Sequence, residues 1–463
     1  MSVNTLRPTT MAGRWRWLSA TLSVVAAVVL VAGGWRRLAA ALSIIAAAAL
    51  VAGACSSTDD GASTDGAGDT VGDGSLGVVE VGPGEAIQIR SLNTITGDVA
   101  YLGIPNQRGV ELAIADFGRV HGFEVDLGTR YDDLCSSDGA QAAAQTIIAD
   151  SDVVGVIGPT CSTAAVAAAP LITAAGMVLI SPSNTSPTLT SDLDGNPGIN
   201  HSPGYFRTSE NGLVVGEAMA RFVLDGLEHA SAAAVHDGDP YTRSLAQSFA
   251  DSLERLGGTA TGVFAINKED TDMLPVLTEI AAGSPEALFF PIFQPAGDFL
   301  ADQATRVAGL EDTTLLTDSA LLNDGFMSLP QSAGLYFSGP DLRFGATTNE
   351  STQATPDKLL DDYEQAYGEA PSSPYWAHSY DATTLLLEAI KAASSVDDSG
   401  ALVIDRAAVR ARLNAVSGYR GIIGTIDCDP FGDCGTAKIT IIHHLDPDDI
   451  EASLGNIVFE FAS

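Results

Sequence analysis

Two short stretches place hydroxyls, and in one case a thiol, directly after apolar runs. "VIGPTCST" (156–163) ends in Cys161, Ser162 and Thr163, and "LISPSNT" (179–185) ends in Ser183, Asn184 and Thr185. Such residues can serve as a nucleophile, as a metal ligand, or as donors that grip an anion. A nucleophile needs a base beside it, and no GxSxG elbow surrounds any serine. The adjacent His443 and His444 would point to opposite faces of a strand and share no metal. "DLDGN" (192–196) lacks the oxygen set that calcium requires. The anion grip remains, with ordinary Ser/Thr capping of a helix as the competing structural role.

The elements that would carry these residues alternate. β-rich runs stand at 86–92, 123–131, 153–158 and 177–181, with helical spacing at 106–118, 139–150 and 162–176 between them. After a polar break at 186–212 the pattern resumes: strands at 231–236, 261–266 and 287–293, helices at 241–257 and 274–283. This alternation predicts parallel sheets covered by helices on both faces. In such sheets ligands sit beyond the C-terminal strand ends, where the next helix offers free N–H groups and partial positive charge. Residues 159–163 and 183–185 occupy two such places, and together they could hold one carboxylate.

Composition narrows the setting. The chain has 463 residues and a net charge of −35; its first 54 residues hold five arginines and no acid or lysine. The remainder carries 18 basic against 58 acidic side chains, a net of −40. That balance argues against nucleic acid and anionic membrane surfaces as partners. The N-terminus reads as an export signal containing a duplicated segment: residues 15–34 and 35–54 match at an offset of 20, with Trp15/Trp35, Ser23/Ser43 and Gly33/Gly53 coinciding. The second copy ends in "LVAGAC", where small residues before Cys55 resemble a bacterial lipoprotein processing box, with Ala52 in place of the usual leucine. Cys55 is the expected lipidation site; a retained transmembrane anchor is the alternative. Residues 55–85 are rich in Ser, Thr, Asp and Gly and read as a disordered acidic tether. Its "GDGSLG" (72–77) matches GxGxxG without the strand–helix context of a dinucleotide site.

Four further cysteines in an exported chain imply disulfides, with three pairings open. Cys428 and Cys434 flank a short polar loop and form the natural local pair, which leaves Cys135 with Cys161.

From Ile87 onward the chain resembles the type 1 periplasmic binding proteins, in the leucine/isoleucine/valine-binding branch of ABC-transporter solute receptors. The segments that carry the resemblance are 96–117, 131–148, 153–190, 206–212 ("FRTSENG") and 232–249. The resemblance implies an α/β architecture of two doubly wound parallel-sheet lobes joined by a hinge, and independently supports Cys135–Cys161. It implies that Ser162 and Thr185, with Thr163 and main-chain groups near Ser183, hold a ligand carboxylate. Tyr241 and Phe293 would form the cover from the second lobe. Two positions differ from the family. Ser319 stands at the place of the acid that binds the ligand ammonium, with Asp318 beside it; Leu102 stands at the place of a first-lobe aromatic, with Tyr101 adjacent. The implied layout is signal 1–54, tether 55–85, lobe 1 over 86–206 and 340–425, and lobe 2 over 207–339 and 426–463. The expected function is an extracytoplasmic solute-binding protein, anchored to the cell membrane by lipid, that delivers an amino acid or related small carboxylate or amide to ABC permease subunits. It needs no cofactor and catalyses no reaction. A sensor module using the same clamp is the alternative.

Overall fold

Short apolar runs separated by amphipathic stretches fold here as two parallel sheets with helices on both sides. The computed structural model describes residues 72–462; the export signal, Cys55 and most of the tether lie outside them. In the first sheet Ile87–Asn93, Val153–Ile157, Val178–Ser181 and Tyr205–Arg207 run parallel in that order. Val153–Ile157 and Val178–Ser181 are buried along their whole length, as strands covered on both faces must be. The expected strand at 123–131 is instead two pieces, Val125–Asp126 and Arg130–Asp132, both paired to Ile87–Asn93. Gly128 breaks it with a φ of 57°; a Cβ there would press within 2.6 Å of the Arg90 guanidinium.

The second sheet has the order Ile457–Ala462, Lys438–His443, Tyr336–Pro340, Thr314–Asp318, Ala287–Phe289, Ser231–His236, Thr259–Ala265. The last five are parallel, and the first two close one edge antiparallel. Ala-rich strands such as Ser231–His236 let helix Pro240–Arg255 pack close, through Leu245, Phe249 and Leu253. Helix Trp376–Ala392 returns to the first sheet, where it packs on helix Ala100–Phe117.

The chain passes between the sheets three times: after Arg207, after Pro340, and between Ile426 and Lys438. Two crossings are tied together. Arg207 N–H donates to Gly432 O and Cys434 N–H to Arg207 O, both at 2.9 Å. The fully buried Arg207 side chain pairs with Asp433. The Cys428–Cys434 disulfide closes this loop, and Cys135–Cys161 joins the first lobe's loops.

The tether expectation is corrected over its last part. Val78–Val81 is a strand, paired antiparallel with Leu402–Asp405, and Val79 and Val81 are buried. The alternation in "VVEV" is too short to stand out, and its partner lies more than 300 residues away in the sequence. "GDGSLG" forms the turn that enters this strand, with Gly77 N–H donating to Gly74 O.

Candidate functional site

A small cavity of about 30 Å³ lies between the strand ends of the two sheets. The first lobe contributes Leu102, Thr160, Cys161, Ser162, Ser183, Thr185 and Tyr375; the second contributes Tyr241, Phe293, Ser319 and Ala320. Gly158 makes the approach possible: its φ is 127°, and a Cβ there would collide with the Leu92 carbonyl.

A buried carboxylate holds the first-lobe loops in place. Asp133 accepts from Thr160 N–H and Cys135 N–H, each at 2.8 Å, and from the Thr94 hydroxyl. Burial pushes it up to about 6. The Cys135–Cys161 bridge sits beside it and fixes the start of helix Ser162–Ala174.

Helix capping does not account for the hydroxyls. Cys161 is the N-cap residue of helix Ser162–Ala174, and no side chain caps it. The first-turn N–H groups therefore lack the partner that a capping residue supplies. Ser162 Oγ only accepts, from Ser186 N–H at 3.4 Å, so its proton is free. Thr185 Oγ1 is buried with no hydrogen-bond partner among the described residues. Two hydroxyl donors and a helix N-terminus thus line one end of the cavity, an arrangement suited to a carboxylate. Ser183 is spent differently: its hydroxyl donates to Thr160 O at 2.9 Å and accepts from Asn106 at 3.1 Å. Asn184 ties Thr160 O to the Tyr205 hydroxyl.

The other end is aromatic and acidic. The rings of Tyr241 and Phe293 lie 5.4 Å apart. The Tyr241 hydroxyl donates to Asp318, whose carboxyl burial pushes up to about 7. Tyr375, which stood out in no motif, donates to Glu210 at 2.9 Å and lies 3.0 Å from Ser319 Oγ.

Of the residues singled out in the sequence, Ser162, Ser183, Thr185, Tyr241 and Phe293 line the cavity together; Tyr101, Thr163 and Asp318 do not. Asp318 stands behind Tyr241 and Ser319. Thr163 and Tyr101 bond across the cleft instead. Thr163 Oγ1 donates to Asp239 at 2.6 Å, and Tyr101 Oη to Ala320 O at 2.6 Å. Ser186 adds a longer bond to Pro240 O at 3.4 Å. These bonds hold the lobes in contact. Glu210, Tyr375 and Thr160 are the additions from the structure. Elsewhere, His443 stacks on Tyr336 while His444 is buried against Met327 O and Ser332, so the two rings serve packing.

The comparisons agree with this fold. A family model described as periplasmic binding protein matches residues 86–433. The amino acid binding protein of Pseudomonas aeruginosa is 27% identical over 312 residues, which cover 66% of this chain and 78% of that one. The leucine binding protein of Thermotoga maritima superimposes with a TM-score of 0.66 at 22% identity, over 78% of this chain and 96% of its own. The branched-chain amino acid transporter substrate binding protein of Streptococcus pneumoniae, solved with isoleucine, gives 0.63 at 21% identity, over 82% and 99%. With two parallel-sheet lobes crossed three times by the chain and a polar cavity at their facing strand ends, this chain belongs to the periplasmic binding protein family and has its type 1 fold.

Proposed function

We propose that this protein is the solute receptor of an ABC importer on the outer side of the cytoplasmic membrane, and that it binds an amino acid or a related small carboxylate or amide. One observation carries the ligand class. Thr185 Oγ1 is buried in the cavity wall without a partner, next to the free hydroxyl of Ser162 and an uncapped helix start. A buried polar atom left unpaired costs about 1–3 kcal/mol. A ligand carboxylate accepting from both hydroxyls removes that cost. Main-chain groups near Ser183 complete the grip. Tyr241 and Phe293 close over the ligand from the second lobe, and Asp318 behind Tyr241 offers a counter-charge to an ammonium.

The names of the relatives support an amino acid. The cavity differs in one respect that bears on the side chain bound: Leu102 supplies a small aliphatic wall in the first lobe. Closure of two lobes about a three-strand hinge is the working motion, a rigid-body change that presents the loaded form to a permease. Cys55 carries the lipid anchor in this reading, and the segment after it spaces the lobes from the membrane.

A thermal-shift screen of the purified mature chain tests the ligand class. Binding stabilises by mass action, about 2.7 kcal/mol at a hundred times Kd. A panel of the common amino acids, their amides and their desamino acids should give a subset that raises Tm. A panel without effect, repeated by calorimetry, would refute the reading.

A further inference from the structure

Glu210 stands at the first crossing between the lobes, 3% exposed, with Oε1 accepting from Tyr375 Oη and Oε2 unpaired among the described residues. It is not alone. From Glu210 a line of polar groups runs through Tyr375, Ser319 and Asp318 to Tyr241, and three of these five, Tyr375, Ser319 and Tyr241, line the cavity. The line joins the hinge, the returning first-lobe segment and the second lobe.

The charges facing it are unbalanced. The cation that acts on Glu210 is Arg207, whose Nε pairs with Asp433 and whose Nη1 bonds the carbonyls of Asn184 and Ser186, while Nη2 has no partner among the described residues. His378 packs edge-on against Tyr375 at 5.2 Å, and burial pushes it down to about 3, so it is neutral. Tyr101 closes the far side with its phenol intact, because burial pushes it up. Two carboxyls therefore share a closed, hydroxyl-lined corner with no cation bonded to either among the described residues. Burial raises both, and Glu210 adds to the rise at Asp318. Like charges in one low-dielectric site each favour the protonated form of the other.

We propose that Glu210, acting through Tyr375, positions the cationic group of the ligand, and that with Asp318 it gives up a proton to solvent when that cation arrives. As one ammonium enters the corner, the carboxyl pair gives up to solvent the fraction of a proton that it holds at that pH. The ligand is then a zwitterion, with its carboxylate on Ser162 and Thr185 and its amine against Tyr375 and Ser319. This rests on the carboxylate grip proposed above. It adds a second acid, the Glu210 of "FRTSENG", to which the resemblance gave no role, and a proton that a fixed counter-ion would not release.

Calorimetry tests it with two probes: the amino acid that raises Tm most, and its desamino analogue. Each is titrated near pH 7 in two buffers of different ionisation enthalpy. The wild-type chain should release a fraction of a proton on binding the amino acid and none on binding the analogue. Its affinity for the amino acid should rise between pH 6 and 8. Glu210→Gln keeps the Tyr375 bond and should weaken amino-acid binding by about tenfold, reduce the proton released, and leave the analogue unaffected. Wild-type binding with no buffer dependence overturns the inference, whatever the variant does. So does a folded Glu210→Gln protein with unchanged affinity and proton release. A wild-type chain that binds desamino acids but no amino acid overturns the inference and leaves the carboxylate grip standing; one that binds neither overturns the carboxylate-grip reading, and the inference with it.

Discussion

Thr163 in the first lobe donates its hydroxyl to Asp239 in the second at 2.6 Å, and Lys268 reaches the same carboxylate oxygen at 3.2 Å. Asp239 also caps helix Pro240–Arg255 through Tyr241 N–H, so one side chain sets the cover and latches the lobes. Thr163→Val removes the latch while keeping shape. It should weaken ligand binding through faster release, by about 10-fold or less, because the half-buried Thr163 bond is worth less than the roughly 1.5–3 kcal/mol of a fully desolvated charge-assisted one. Stopped-flow dissociation should show the change in the off-rate and leave the on-rate alone.

Ser162→Ala and Thr185→Val address the grip. Each removes a hydroxyl expected to donate to a charged group, so each should weaken binding by about 10- to 100-fold. Stability of the ligand-free protein should not fall in Thr185→Val, because Oγ1 has no partner to lose. Unchanged affinity in both variants, measured by calorimetry, would return the hydroxyls to a structural role.

The Cys135–Cys161 bridge closes a separation of 26 residues. In the chain-entropy model such a loop contributes about 3 kcal/mol. Cys135→Ala with Cys161→Ala should lower stability by about that amount in urea unfolding. It should also weaken binding beyond the effect of destabilisation, because Cys161 starts the helix whose N–H groups face the cavity.

Asp318 gives a pH dependence of definite sign. Its folded value is about 7 against 3.8 for the free side chain, because burial opposes its charge. Between those values the folded protein binds more protons than the unfolded chain, so this group's contribution to stability is full below about pH 4 and is lost as pH rises to 7. Asp318→Asn removes that decline. The Tm of the variant relative to wild type, each saturated with the desamino analogue that closes the lobes and brings no ammonium, should therefore rise from pH 4.5 to pH 7. Parallel curves would show that Asp318 is not buried in the folded protein.

Cys55→Ala should release the protein from membranes or leave it unprocessed, as fractionation and labelling with a palmitate analogue would report. Deleting residues 15–34 should still permit export, since residues 35–54 repeat the basic flank and apolar run.

Much of the fold was legible because parallel strands buried on both faces are continuous apolar runs, and Val153–Ile157 and Val178–Ser181 are such runs. The candidate grip was legible for a related reason: small hydroxyl residues at two neighbouring strand ends have few other uses. What escaped reading depends on distance in the chain. Val78–Val81 is a strand only because Leu402–Asp405 offers an edge. Glu210 and Tyr375 lie 165 residues apart and meet only when the hinge and the returning segment are in place. Thr163 looked like a ligand donor by position; its partner is on the opposite lobe, a fact that belongs to the closed arrangement and to no local pattern.

The acids buried at the cavity's far end bear on transport economy. In the closed arrangement Asp318 and Glu210 are withdrawn from water, and burying a carboxylate without a counter-charge costs several kcal/mol per ion. Each 1.4 kcal/mol shifts the open–closed ratio tenfold. An unloaded receptor near neutral pH is thereby biased to remain open, although Thr163 and Tyr101 stand ready to fasten it. A permease that responds to the closed shape then meets few empty receptors, and few ATP molecules are hydrolysed without cargo. The side chains proposed to recognise one end of the solute would keep the importer idle in its absence.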